Sequence, residues 1–178
     1  SMANIVTLTG LLGTLTGLYE TAVDDQTAQM PAGLPHHRDL PHESWTSLFE
    51  RATVPAGDVL GRSRGWLRIN GDLGDDPVLH ACAFAYMSDD YPTDAAVSLH
   101  PDRPGPDDAD QYPFVAFSLD HALWFHRPIR ADQWHLTAMA CHGLISSRGL
   151  TYGEVFTEDG VHVASVAQEV LIRRRRDG

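Results

Sequence analysis

The stretch DPVLHACAFAYMSDD, residues 76–90, decides the fold. Asp76 before Pro77 reads as an N-cap followed by proline at the first helical position, where a missing N–H costs nothing. Val78 to Met87 is apolar around most of a helix circumference. That pattern predicts a helix wrapped by other elements, not one laid on a surface. Ser88-Asp89-Asp90 closes it ahead of Tyr91-Pro92, because a residue preceding proline is driven out of the helical region.

Upstream, Ser63 to Asn70 alternates as a strand does, and Asn70-Gly71-Asp72 supplies its turn. Downstream of an acidic, proline-rich loop over 101–111, four segments read as strands: 113–127, 134–142, 146–157 and 161–172. Glu158-Asp159-Gly160 joins the last two, and Asp-Gly is a strong hairpin signal. Strand, apolar helix and four strands predict an α+β chain whose antiparallel sheet curls around one helix. Before this, residues 20–56 are polar and rich in proline, so they read as an extended surface linker with regular structure starting after it.

The chain has 178 residues, 13 basic against 24 acidic, and a formal net charge of −11. Every basic residue is arginine. A negative overall field speaks against non-specific nucleic-acid or anionic-membrane binding. The apolar stretch Ile5–Leu18 is broken by Gly10, Gly13 and Gly17 and lacks the positive flank of a signal peptide. Cys82 and Cys141, without CxxC spacing, read as buried, reduced thiols, which places the chain in the cytoplasm.

Among residues that could carry chemistry, Gln168 shares its strand face with Ala164, Val166, Val170 and Ile172, so an amide is being buried. Left unpaired it would cost about 1–3 kcal/mol, so it must bond either to backbone or to a bound group. Asp89 and Asp90 fall at a helix C-terminus, where the macrodipole disfavours negative charge, a setting that suits a general base. The alternative there is two solvated carboxylates opening a loop. Ser118 and Asp120 share one strand face. Gly61-Arg62-Ser63-Arg64-Gly65 matches G-x-S-x-G but lacks the strand before and the helix after that a nucleophile elbow needs. His36, His37, His42 and Glu43 lie in the linker with no opposed second cluster, so no metal site is expected. Cys141 and His142 point to opposite strand faces, and Arg173–Arg176 reads as a solvated tail.

The segments SLDHALWFHRP (118–128), SSRGLTYGEVFTEDGVHVASVAQE (146–169) and AYMSDD (85–90) resemble the C-terminal half of the acyl-CoA thioesterase II family. The likeness runs from about Gly61 to Arg173, and residues 26–45 resemble that family's inter-domain connection. It implies a single hotdog fold over residues 59–178, a sheet around one long buried helix, after an N-terminal extension and linker over 1–58. It also implies hydrolysis of acyl-CoA to free fatty acid and CoA. By the resemblance, Asp89 is the general base, Ser118, where the family has threonine, and Gln168 hold the lytic water, and N–H groups near a helix start stabilise the oxyanion. No cofactor or metal is implied. Residues 1–20 match nothing in the family, whose chains carry two hotdog units, so a homodimer is expected to supply the neighbour. The alternative is a non-catalytic acyl-CoA-binding or regulatory module, or a truncated remnant.

Overall fold

A computed structural model describes residues 28–55, 59–103 and 113–175. The apolar start and most of the 101–111 loop lie outside the described residues. Eight strands form one antiparallel sheet: β1 (Glu43–Thr46), β2 (Phe49–Val54), β3 (Arg62–Ile69), β4 (Phe114–Ser118), β5 (Ala122–Phe125), β6 (His135–Ile145), β7 (Arg148–Thr157) and β8 (His162–Arg174). Their order is β1-β2-β3-β6-β7-β8-β4, with β5 also on β8.

Two helical segments, α1 (Pro77–Met87) and α2 (Asp90–Ser98), form one long kinked run, since Ser88 and Asp89 between them keep helical dihedrals. The N-cap is as read: the Asp76 carboxylate accepts from Val78 N at 2.9 Å. The burial differs from expectation. In α1 only the stripe His80, Phe84 and Met87 is buried, while Val78 and Tyr86 are 67% and 50% exposed and Cys82 is exposed as well. The sheet wraps α2 instead, whose Tyr91, Pro92, Ala95, Ala96 and Val97 are buried. Pro92 does not end the helix because it sits in the first turn of α2, where its absent N–H has no partner to lose. Small residues at 95 and 96 then let the helix press against the sheet.

The closest approach is at Gly65 of β3. A Cβ there would fall inside the Tyr91 ring, so glycine is needed for van der Waals reasons at a position of ordinary dihedrals. The Tyr91 hydroxyl lies 3.2 Å from Thr53 Oγ1. Ser63 Oγ donates to Tyr91 O at 2.6 Å, which commits the serine of the G-x-S-x-G match to holding the helix.

Arg51 of β2 fastens the same turn. Its buried guanidinium donates to Asp90 at 2.8 Å and Asp94 at 3.3 Å and sits 5.1 Å over the Tyr91 ring. Burial pushes the Asp90 carboxyl up to about 6, against the pull of Arg51.

Arg51 belongs to the stretch expected to be linker. That reading is corrected by β1 and β2, which extend the sheet beyond β3, and by residues 28–40. Ala28, Met30, Leu34 and Leu40 cover a second core of Ala52, Val54, Trp66, Trp134, Leu136 and Phe156, and Trp66 Nε1 donates to Pro35 O at 3.1 Å. Proline and histidine gave this segment its polar character, yet it contributes one aliphatic side chain every few residues to the core. The arginine tail is solvated as read but not frayed: Arg173 and Arg174 keep exposed side chains while their backbone pairs with Val115 and Phe114 in the sheet.

The long segment 113–127 is interrupted. Ser118 pairs with Val170 and Ala122 with Ala167, so four steps on one strand face three on the other. One extra residue is inserted, a β-bulge over Leu119–His121 against Gln168–Glu169. Leu119 N donates to Glu169 O at 2.8 Å, and Glu169 N donates to Asp120 Oδ1 at 2.7 Å.

Two outcomes follow from these contacts. Gly65→Ala is expected to destabilise the fold by about 1–3 kcal/mol through overpacking, seen as a lower midpoint of denaturant unfolding without a change of slope. Because Asp90 binds a proton more tightly when folded than when unfolded, the charged form opposes folding. The stability of wild type relative to Asp90→Asn should therefore fall as pH rises from about 4 to about 6 and level off above that, measured as the Tm difference across buffers.

Candidate active site

The bulge and the helix kink meet. Asp89, at the C-terminal end of α1 and the N-cap position of α2, accepts from Ser118 Oγ at 2.6 Å. Helical dihedrals run on through Ser88 and Asp89, and the Asp89 side chain makes no cap hydrogen bond to α2, so the expected helix C-terminus is instead a kink inside a continuing helical run. Ser118 Oγ accepts from Gln168 Nε2 at 2.9 Å. Gln168 has no solvent exposure. Its Oε1 lies 2.5 Å from His121 Nδ1, and His121 Nε2 lies 2.8 Å from the hydroxyl of fully buried Ser88. The expected Asp89, Ser118 and Gln168 are therefore brought together, and His121 and Ser88 extend them into a chain of five side chains. Asp90 points away, to Arg51, and Asp120 is engaged with Glu169 N.

The proton positions in this chain follow from chemistry. An ionised carboxylate only accepts, so Ser118 must donate its one proton to Asp89 and accept from Gln168. The amide nitrogen then faces Ser118 and the amide oxygen faces His121.

Reading the sequence assigned no role to His121. Regular alternation pairs Ser118 with Asp120 on one face; the bulge adds one residue and aligns Ser118 with His121. The local signal was the polar pair Asp120-His121 inside an otherwise apolar strand pattern, which marks a strand that fails to continue regularly.

The pair Asp89 and Ser118 borders two adjoining depressions. One, of about 640 Å³, runs between α2 and β4 past Phe49, Tyr86, Phe114, Val115 and Ala116. The other, of about 310 Å³, lies over Leu119, Asp120 and His121. Ser118 and Asp89 are exposed at their shared rim, while Gln168 is buried behind it.

Among the described residues, His36, His37 and Glu158 form a group whose donor atoms could meet at a metal. The opposed ligand that the linker histidines were read as lacking is thus supplied by the β7–β8 turn. His36 Nε2 and His37 Nε2 lie 3.1 and 2.7 Å from one Glu158 oxygen. His36 Nδ1 accepts from Arg38 N at 3.3 Å, which places the imidazole proton on Nε2, directed at the carboxylate. His37 Nδ1 is buried without a partner, so that ring lacks the outer hydrogen bond that orients a metal-bound histidine. The arrangement is a carboxylate clasp. It ties the N-terminal segment to the sheet, with His37 buried and stacked on Trp134 at 4.5 Å.

No helix of the described residues is long and apolar enough to cross a membrane. Comparison with known proteins matches residues 23–172 to the family described as acyl-CoA thioesterase C-terminal domain. Acyl-CoA thioesterase 2 of Haemophilus influenzae is 36% identical over 108 residues, 61% of this chain and 36% of that protein. Human acyl-coenzyme A thioesterase 8 is 37% identical over 109 residues, 61% of this chain and 32% of that protein. The chain thus spans about a third of the length of these curated relatives. A crystal structure of an acyl-CoA thioesterase II, TesB2, from Mycobacterium marinum superposes with a TM-score of 0.70 at 34% identity, covering 85% of this chain and 58% of that one. A hot dog fold protein from Alicyclobacillus acidocaldarius shares the fold at a TM-score of 0.59 and 16% identity. With most of its length matched and its sheet curled around a helix as theirs is, this chain belongs to the acyl-CoA thioesterase C-terminal domain family.

Proposed function

We propose that this chain hydrolyses acyl-CoA thioesters to free fatty acid and CoA, with Asp89 as general base. The observation that carries the reading is the hydrogen-bonded line Asp89–Ser118–Gln168 at the rim of an apolar groove. Ser118 occupies one carboxylate oxygen of Asp89 and leaves the other to take a proton from water. The Ser118 oxygen, fixed from behind by the buried Gln168 amide, holds that water against the thioester carbonyl. Attack forms the C–O bond, the tetrahedral oxyanion is met by N–H groups at the start of α2, and collapse breaks the C–S bond to release CoA thiolate, which takes up the proton. Phe114, Val115 and Ala116 line the groove beside the acyl chain.

Serine in place of threonine retains the function the geometry asks of it, since its hydroxyl both donates to Asp89 and accepts from Gln168. That satisfied geometry favours a catalyst over a non-catalytic acyl-CoA-binding module. We propose as well that a second copy of the chain completes the groove from its open side. Tyr86, Phe117, Trp124 and Phe125 stand exposed on α1 and on β4 and β5 at the sheet edge, a surface suited to pairing. A reducing, cytoplasmic setting agrees with Cys82 and Cys141 both being free thiols.

Steady-state CoA release from a panel of acyl-CoA thioesters of graded length tests the activity. Asp89→Asn is expected to lower kcat by about 100- to 10,000-fold, and Gln168→Ala to lower it with the fold intact. Absence of release above background from wild type would remove the hydrolase reading and leave ligand binding. Light scattering is expected to give about twice the 19.6 kDa protomer mass; a monomer at working concentration would rule out self-pairing.

A further inference from the structure

We propose that His121 is a positioning residue whose Nδ1–H fixes the orientation of the Gln168 amide. This rests on reading Asp89, Ser118 and Gln168 as the hydrolytic group. A primary amide has two nearly isosteric orientations, and only the one presenting nitrogen to Ser118 supports the line to Asp89. Within the strand nothing chooses between them. Asp89 favours one of them through Ser118, and the selection is completed at the other end, where Oε1 meets His121 Nδ1 at 2.5 Å. With Oε1 as acceptor, Nδ1 must carry the proton, which leaves Nε2 of the neutral ring as an acceptor.

Ser88 meets that requirement. Its hydroxyl lies 2.8 Å from Nε2 and 3.2 Å from Ala85 O and can give its one proton to either; with Nδ1–H committed to Gln168, giving it to Nε2 satisfies the neutral ring and holds the Nδ1–H tautomer. Ser88 is the residue adjacent to Asp89. The chain of bonds therefore returns to the helix kink it started from, Asp89 to Ser118 to Gln168 to His121 to Ser88, and couples the amide's orientation to the carboxylate's own backbone. A flipped amide would set Nε2–H against Nδ1–H and Oε1 against the Ser118 oxygen, two repulsive contacts at a residue with no solvent exposure.

The test compares kcat and KM for His121→Asn, His121→Gln and His121→Ala. Asparagine puts an amide N–H where Nδ1 stands, whereas glutamine extends its polar group toward the Nε2 position. His121→Ala and His121→Gln are expected to lose kcat by on the order of 100-fold, the scale of a misplaced group, with KM little changed. His121→Asn is expected to recover most of the loss. Equal effects of asparagine and glutamine, or a change in KM alone, would overturn the proposal. A second measurement does not depend on turnover or on a variant that folds. Nitrogen-15 spectra of the imidazole in the intact protein should show Nδ1 protonated and Nε2 bare; the opposite tautomer would overturn the assignment. If Asp89→Asn keeps full activity, the hydrolytic reading itself falls, whereas Asp89→Asn inactive with His121→Ala fully active removes only the role of His121.

Discussion

An amide with no contact to solvent must have both of its ends filled by protein, and Gln168 imposes that requirement on the strand beside it. Its nitrogen needs an acceptor and its oxygen needs a donor, on the same face and about one residue further apart than regular pairing allows. The bulge between β4 and β5 meets this need. It turns Ser118 and His121 toward the amide together and releases Asp120 to take the Glu169 N–H that the broken ladder would leave bare. The same device ends β4 at the rim of the groove, so the polar line opens onto that groove.

The helix meets its own constraint from the opposite side. Tyr91 can lie on Gly65 only because that residue has no side chain, and Arg51 and Ser63 hold the turn from which Tyr91 projects. These contacts set the height of the kink above the sheet. Asp89 reaches Ser118 as a result of packing several residues away from it. A charged group, Arg51, is thereby buried against three carboxylates, those of Asp90, Asp94 and Glu43, an arrangement whose desolvation cost is visible in the raised Asp90 proton affinity.

Much of this was legible from residue order. Burial of Gln168 followed from its face of the last strand, the hairpin at Glu158–Gly160 from Asp-Gly, and the candidate base from a carboxylate at the end of an apolar helix. What escaped had physical reasons. Tyr91-Pro92 was read as a stop because proline usually breaks a helix, and only the kink puts it in a first turn. His121 was hidden by a bulge, which shifts the period that strand reading relies on. The strands β1 and β2 escaped although they pair with their neighbours in sequence, because the proline and histidine just before them gave the whole stretch the composition of a linker, whereas the clasp of His36 and His37 on Glu158 escaped because its partner lies far along the chain. Glu158 stands 121 residues beyond His37, and no local pattern links them.

The bulge is a matter of one residue, and this gives the site an unusual evolutionary position. Losing a single codon between Leu119 and His121 would equalise the two strands and let β4 and β5 run on as one regular edge. The sheet, the helix and the core would all persist. Gln168 would then face a different pair of side chains, and the line to Asp89 would be gone. The hydrogen-bonded line at the rim and the register of the rest of the sheet are thus separable by one in-frame event.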